Sequence, residues 1–119
     1  MSEAQSEIEA PSIARELTAF QQNILVILAE EARYGLAVKR ELETYYDSDV
    51  NHGRLYPNLD DLVEMDLVEK SELDKRTNEY GLTEKGYEVL LEQIEWELAK
   101  IIQTEDRAED FEDLLEAAR

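Results

Sequence analysis

The 119-residue chain contains no cysteine. That excludes structural disulfides, thiolate metal sites and thiol-based redox sensing. It has a single histidine, His52, so a multi-histidine metal site is impossible. No apolar run approaches the length of a membrane span, and no signal-peptide pattern is present. A soluble, cytoplasmic protein is the expectation that remains, with no membrane partner. There is no Gly-rich phosphate loop and no nucleophile motif, and the acidic pairs Glu30-Glu31 and Asp60-Asp61 come without a recognisable pocket. An enzyme is therefore not expected, nor is a cofactor or a metal.

Positive charge is also scarce. Twelve Lys and Arg face 30 Asp and Glu, for a net charge of −18. A nucleic-acid-binding domain is expected to be basic. The charge is uneven, however. Residues 33–85 hold eight of the twelve bases (Arg33, Lys39, Arg40, Arg54, Lys70, Lys75, Arg76 and Lys85) against 13 acids, so the centre is less acidic than the flanks. Two explanations compete. The protein avoids nucleic acid altogether, or it works in molar salt, where acidic surfaces stay soluble and self-repulsion is screened within about 3 Å.

What is present centres on residues 51–70, NHGRLYPNLDDLVEMDLVEK. Leu55, Leu59, Leu62 and Val63 recur at helical spacing, which predicts an amphipathic helix. At about 100° per residue, its opposite face carries Gly53, Arg54, Pro57 and Asp61, with Asn58 at the border. Arg54 is the only base on this helix and lies in the first turns, where a helix inserted in a major groove reaches base edges. The amides around Asn51 to Gly53 are expected to be free for a phosphate. The ring of Pro57 should press on the carbonyl of Gly53 and loosen the first turn. The bland alternative is a core helix with a solvated Arg.

Upstream, residues 1–10 read as a loose arm and Pro11 to Leu17 as the start of a short helix whose lone base is Arg15. Thr18-Ala19-Phe20-Gln21 has the form of a capping box. Phe20, Ile24, Ile27 and Leu28 then form a stripe that Leu25 and Val26 widen, which predicts a helix buried on most sides. After a Tyr34-Gly35 break, Leu36 to Tyr46 reads as a second helix with Leu36, Val38, Leu42 and Tyr45 inward. Asp47 to Val50 is a turn into the central helix. Helix, short turn, helix is helix-turn-helix spacing. Arg40 would then lie near a DNA backbone, or else pair with Glu43 at i, i+3.

Downstream, Leu67 to Lys70 and Asn78 to Leu82 are β-prone runs around a basic tip, Asp74-Lys75-Arg76-Thr77, which predicts a two-stranded hairpin. Thr83 caps a long helix reaching about Gln103. Tyr87, Leu91, Ile94, Leu98 and Ile101 form a heptad-like seam, widened by Leu90 and Ile102, with Trp96 beside it. A helix this long on a domain this small points to a partner helix, although packing within the chain would use the same pattern. Thr104 to Ala118 reads as a last short helix, with Ala108, Phe111, Leu115 and Ala118 on one face.

The order of elements is that of a winged helix-turn-helix domain. Gly53-Arg54-Leu55-Tyr56-Pro57-Asn58-Leu59 resembles the Gly-x-Leu-Tyr-Pro-x-Leu signature of PadR-like transcriptional regulators. Tyr34-Gly35 resembles that family's His/Tyr-Gly-Tyr element, and Tyr80-Gly81-Leu82-Thr83-Glu84-Lys85-Gly86 its Tyr-x-Leu-Thr-x-x-Gly motif after the wing. The resemblance spans roughly residues 18–100, and with this acidity the chain looks like a haloarchaeal member. It implies a homodimeric repressor, joined through C-terminal helices, with each recognition helix in a major groove of a near-palindromic operator. The chain departs from family habit at Asp60-Asp61, where bases are common.

The expected fold is therefore mainly α with a small two-stranded β-wing. The expected units are an arm or short helix at 1–17, a winged helix-turn-helix domain at 18–83 and dimerisation helices at 84–119. DNA contacts are expected from Arg54, with Asn51 or His52 nearby, toward bases, from Lys39, Arg40, Lys75 and Arg76 toward phosphates, and from Tyr56 and Asn58 on the same helix. His52 is open to base or phosphate contact, to packing at the helix start, or to a metal. Dimerisation is expected from Tyr87, Leu90, Leu91, Ile94, Trp96, Leu98, Ile101 and Ile102. Bound K+ or other cations are expected partners of the acidic surface. The rival class is an acidic dimeric adaptor of the same fold that binds a protein and not DNA, with Asp60-Asp61 as its best support.

Overall fold

A computed structural model describes residues 16–74 and 77–119. The proposed N-terminal arm, Arg15 and the hairpin tip Lys75-Arg76 lie outside those residues. Helix α1 (Ala19–Glu30) begins at the capping box read from the sequence. The Gln21 amide donates to the Thr18 hydroxyl at 3.1 Å, and the Thr18 amide to the Gln21 side chain at 3.1 Å. Phe20, Ile24, Leu25 and Leu28 are buried, whereas Val26 is 54% exposed, so the stripe is narrower than expected.

A two-residue strand, β1 (Arg33–Tyr34), stands where the sequence suggested only a break. Helix α2 (Gly35–Tyr46) follows and ends at Asp47, in the left-handed region at φ 53°. Aspartate tolerates that conformation better than most residues. On α2, Val38 and Leu42 are buried, but Leu36 and Tyr45 face outward. Tyr46 turns inward in place of Tyr45, because the helix phase set by Val38 and Leu42 carries position 46 back to the core. Helix α3 (His52–Glu64) buries Leu55, Leu59 and Leu62, each contributing about 1.5–3 kcal/mol by removal from water. It runs unbroken through Pro57.

Strands β2 (Val68–Asp74) and β3 (Thr77–Leu82) form the expected hairpin, with an irregularity between Glu72 and Asp74. The sheet has three strands and not two. β1 pairs antiparallel with β3, Arg33 opposite Tyr80 and Tyr34 opposite Glu79, in the order β1-β3-β2. This ties the start of α2 to the wing.

Helix α4 (Glu84–Ile101) starts at Thr83, whose hydroxyl accepts from the Gly86 amide at 2.9 Å and donates to the Asp66 carbonyl at 2.7 Å. A Cβ at Gly86 would stand 2.2 Å from the Leu67 carbonyl oxygen, so only glycine allows the helix to sit so close to β2. Val89 and Leu90 complete the core. Leu90, grouped with the seam in the sequence, thus packs inside its own chain at 7% exposure. Helix α5 (Glu105–Ala118) follows, with Glu105 and Asp106 in its first turn, where the helix dipole favours acids. It buries no residue fully. No helix among the described residues is long and apolar enough to cross a membrane.

Candidate nucleic-acid interface

The site is built on the exposed side of α3. His52, Gly53, Arg54, Pro57, Asp60, Asp61 and Glu64 are exposed, while Tyr56 and Asn58 are half-buried. From Gly53 to Glu64 the exposed residues recur at three- and four-residue steps and form one face, while His52 lies off it with its ring against Tyr56.

Arg54 is held at both ends of its peptide unit. Its amide donates to the Asn51 side-chain oxygen at 2.8 Å, and its carbonyl accepts from the Asn58 side chain at 2.7 Å. The Asn51 bond takes the amide of Arg54, one residue past the Asn51 to Gly53 amides that the sequence offered to a phosphate, but it changes what Asn51 itself can do. Asn51 is the N-cap, so its oxygen is spent on the first turn and only its amide nitrogen is left to donate outward. Asn58 likewise commits its nitrogen next to Pro57, a residue with no amide hydrogen to give the helix. The Arg54 guanidinium lies over the Phe20 ring, 3.9 Å from its centroid.

Tyr56 packs sideways. The His52 ring lies parallel to it at 5.6 Å, and a Cβ at Gly35 would meet the Tyr56 hydroxyl oxygen at 2.7 Å. The Tyr34-Gly35 and Leu55-Tyr56-Pro57 motifs therefore meet in space. Beside them opens a cleft of about 310 Å³ lined by Tyr34, Gly35, Leu36, Tyr56, Thr77, Asn78 and Tyr80. Burial, and then the charge of Asp60, push the Tyr80 phenol above its usual pKa.

The bases of this region differ in what they face. Lys39 pairs with Glu43 at 2.9 Å, and the same Glu43 oxygen accepts from the Val50 amide at 3.0 Å. The Val50 bond and then Lys39 hold the Glu43 carboxyl below its ordinary pKa. Lys39, expected on a phosphate, is thus part of the clasp that closes the α2–α3 turn. Arg33 is almost enclosed by carboxylates: it pairs with Glu30, with Glu31 at 3.9 Å and with Glu41 at 3.7 Å. The sequence assigned Arg33 no role and offered Glu43 only as a partner for Arg40. The acids one turn away from each base were the signal. Lys85 reaches the Met65 carbonyl at 3.3 Å. Arg40 is exposed and, like Arg54, forms no ion pair among the described residues.

The seam of α4 is laid open along one side. Tyr87 (52%), Leu91 (46%), Ile94 (46%), Trp96 (61%) and Ile101 (47%) are exposed. Leu98 and Ile102 are half-buried and join Leu91 and Ile94 in a groove of about 530 Å³. Lys100 lies over the Trp96 ring, 5.7 Å from its centroid. Leu114 and Leu115 of α5 are also exposed, at 61% and 60%. A single chain leaves this much apolar surface uncovered only at a cost.

Residues 24–92 match the transcriptional regulator PadR-like family. Among solved structures, Halobacterium salinarum RosR grown from NaBr is 62% identical, with a TM-score of 0.85 over 88% of this chain and 96% of that one. The hsRosR-S4 complex is 61% identical, with a TM-score of 0.89 over 92% and 95% of the two chains. A PadR-like transcription factor from Bacteroides fragilis is 21% identical with a TM-score of 0.60, covering 82% of this chain and 92% of that one, and so shares the fold. No curated protein matches the chain.

Proposed function

The chain belongs to the PadR-like family of transcriptional regulators, and from that premise we propose that it is a homodimeric, sequence-specific repressor working on double-stranded DNA in high salt. Two copies would join through Leu91, Ile94, Leu98, Ile101 and Ile102, with Tyr87 and Trp96 at the margin, burying the exposed seam against its own symmetry mate. A two-fold dimer places two copies of α3 on a near-palindromic operator. Each α3 would enter a major groove by its N-terminal turn.

The observation that carries this reading is the posture of Arg54. It is exposed on the first turn of α3, and its guanidinium forms no ion pair among the described residues despite a net charge of −18. Guanine O6 and N7 are the natural target of such a group. His52, the side-chain nitrogen of Asn51 and the side-chain oxygen of Asn58 would add contacts near it, while Tyr56 would shape the helix start. Arg40 would meet the backbone, with Lys75 and Arg76 by their place between β2 and β3, and Lys39 to the extent that Glu43 releases it. Potassium or other cations would sit between DNA phosphates and Asp60, Asp61 and Glu64.

One observation favours a second reading. Asp60 and Asp61 are both exposed on the docking helix, as an acidic adaptor that binds protein and not DNA would have them. A gel shift against the DNA upstream of the protein's own gene, in molar KCl, separates the two. A discrete shifted band that unlabelled unrelated DNA fails to compete away supports the regulator. No shift at any KCl concentration at which the protein is folded supports the adaptor.

A further inference from the structure

We propose that Phe20 is a positioning residue for Arg54: its ring sets the plane in which the guanidinium presents its N–H edge to a base. A side chain on a different helix, out of reach of DNA, would then set base discrimination. The proposal rests on the reading of Arg54 as a base contact.

The geometry fixes Arg54 at two points. Its peptide unit is held by Asn51 and Asn58, and its guanidinium carbon lies 3.9 Å from the Phe20 centroid. The ring is itself immobilised. Phe20 is 3% exposed and stands in the first turn of α1, whose start is fixed by the Thr18–Gln21 capping box. On α2, Tyr46 stacks with Phe20 at 6.1 Å and 17°, and the Tyr46 hydroxyl accepts from the Asn23 side chain at 2.9 Å. Two helices thus hold the platform on which the side chain of a third rests.

A guanidinium on an aromatic face keeps its in-plane donors free, because the attraction is to the flat side. That orientation suits bidentate bonding to a guanine edge. It also removes part of the large rotamer entropy of arginine before DNA arrives. Competing resting partners are missing from the local sequence. The residues at helical contact spacing from Arg54 are Val50, Asn51, Pro57 and Asn58, none of them acidic in a chain with 30 acids. The ring is what is left for the guanidinium to rest on.

The test measures base preference and affinity separately. A preferred duplex is selected with the wild-type protein from a random library in molar KCl. Affinities for it, for each single-base-pair variant and for unrelated DNA are then measured for wild type, Phe20→Leu, Arg54→Ala and the double mutant, with circular dichroism confirming each fold. Phe20→Leu should lose about threefold to tenfold discrimination at the base pair whose preference Arg54→Ala abolishes. It should keep the other preferences and its affinity for unrelated DNA, and add nothing in the Arg54→Ala background. Unchanged discrimination in Phe20→Leu, or uniform weakening at every base pair, overturns the positioning role while leaving Arg54 as a base contact. Intact preferences in Arg54→Ala defeat the reading of Arg54 itself, and the proposal with it. If Phe20→Leu unfolds, pentafluorophenylalanine at position 20 keeps the volume and reverses the charge distribution of the ring. The same loss is then expected, and wild-type discrimination overturns the proposal.

Discussion

Tyr56 lies against Gly35, close enough that a Cβ on Gly35 would come within 2.7 Å of the phenol oxygen and 2.9 Å of Cε1. The contact joins the start of α2 to the docking helix, so the two motif elements act as one joint. Gly35→Ala should displace the Tyr56 ring and destabilise the fold by about 1–3 kcal/mol, the usual cost of overpacking. Thermal unfolding in molar KCl measures it. An unchanged Tm would show that the ring moves aside freely.

Arg54→Ala should remove sequence preference, costing on the order of 1–3 kcal/mol against wrong bases. Arg40→Ala should instead weaken all sequences by a similar factor, as loss of a phosphate contact does. Footprints of the two variants on one duplex are the comparison, and an unaltered Arg54→Ala footprint defeats the assignment.

Glu43 gives a pH signature. Its carboxyl titrates below its ordinary value because the Val50 amide and Lys39 favour the charged form. Folding is therefore favoured by this group above the ordinary carboxylate pKa, about 4.3 for Glu, and the contribution is lost as pH falls through the lowered value. Glu43→Gln should be less stable than wild type at neutral pH, and the gap in Tm should narrow in acid. A gap independent of pH would mean that the charge of Glu43 does not stabilise the turn.

Leu91→Asp with Leu98→Asp should convert a dimer into a folded monomer. These side chains lie outside the core of the single chain, whereas in a dimer they would bury unpaired charge. Light scattering after size exclusion in molar KCl gives the mass. A folded double mutant of dimer mass removes the seam as the main interface.

Salt dependence follows from the charges on α3. Bases that reach phosphates release cations, so affinity falls with salt. Asp60, Asp61 and Glu64 oppose this, because each carboxylate near a phosphate favours uptake of a cation between them. Affinity should be nearly flat, or rise, with KCl in the molar range, and Asp60→Asn with Asp61→Asn should make the slope more negative. A steep loss of affinity in folded wild type contradicts this balance.

By itself the sequence determined the helices and the inward face of α3, because those depend on neighbours three and four residues apart. On α2 it turned Leu36 and Tyr45 inward, whereas the structure turns them out. The Thr18 and Thr83 caps, and the Leu55, Leu59 and Leu62 stripe, depend on local spacing alone. So does the outward placement of Arg54, and the acidity needs no fold at all. Tertiary structure alone decided which partner each exposed side chain meets. β1 exists only because β3 comes alongside it, and two residues carry no strand signal of their own. Local charge spacing offered Arg40 as a partner for Glu43, whereas the folded turn brings Val50 to Glu43 and leaves Lys39 as the partner. Leu90 looked like seam and became core, because Gly86 lets α4 approach Leu67. Phe20 looked like core alone and became the support of Arg54. Spacing along the chain sets the direction of a side chain, but its partner is set by the distances between elements, which no local pattern records.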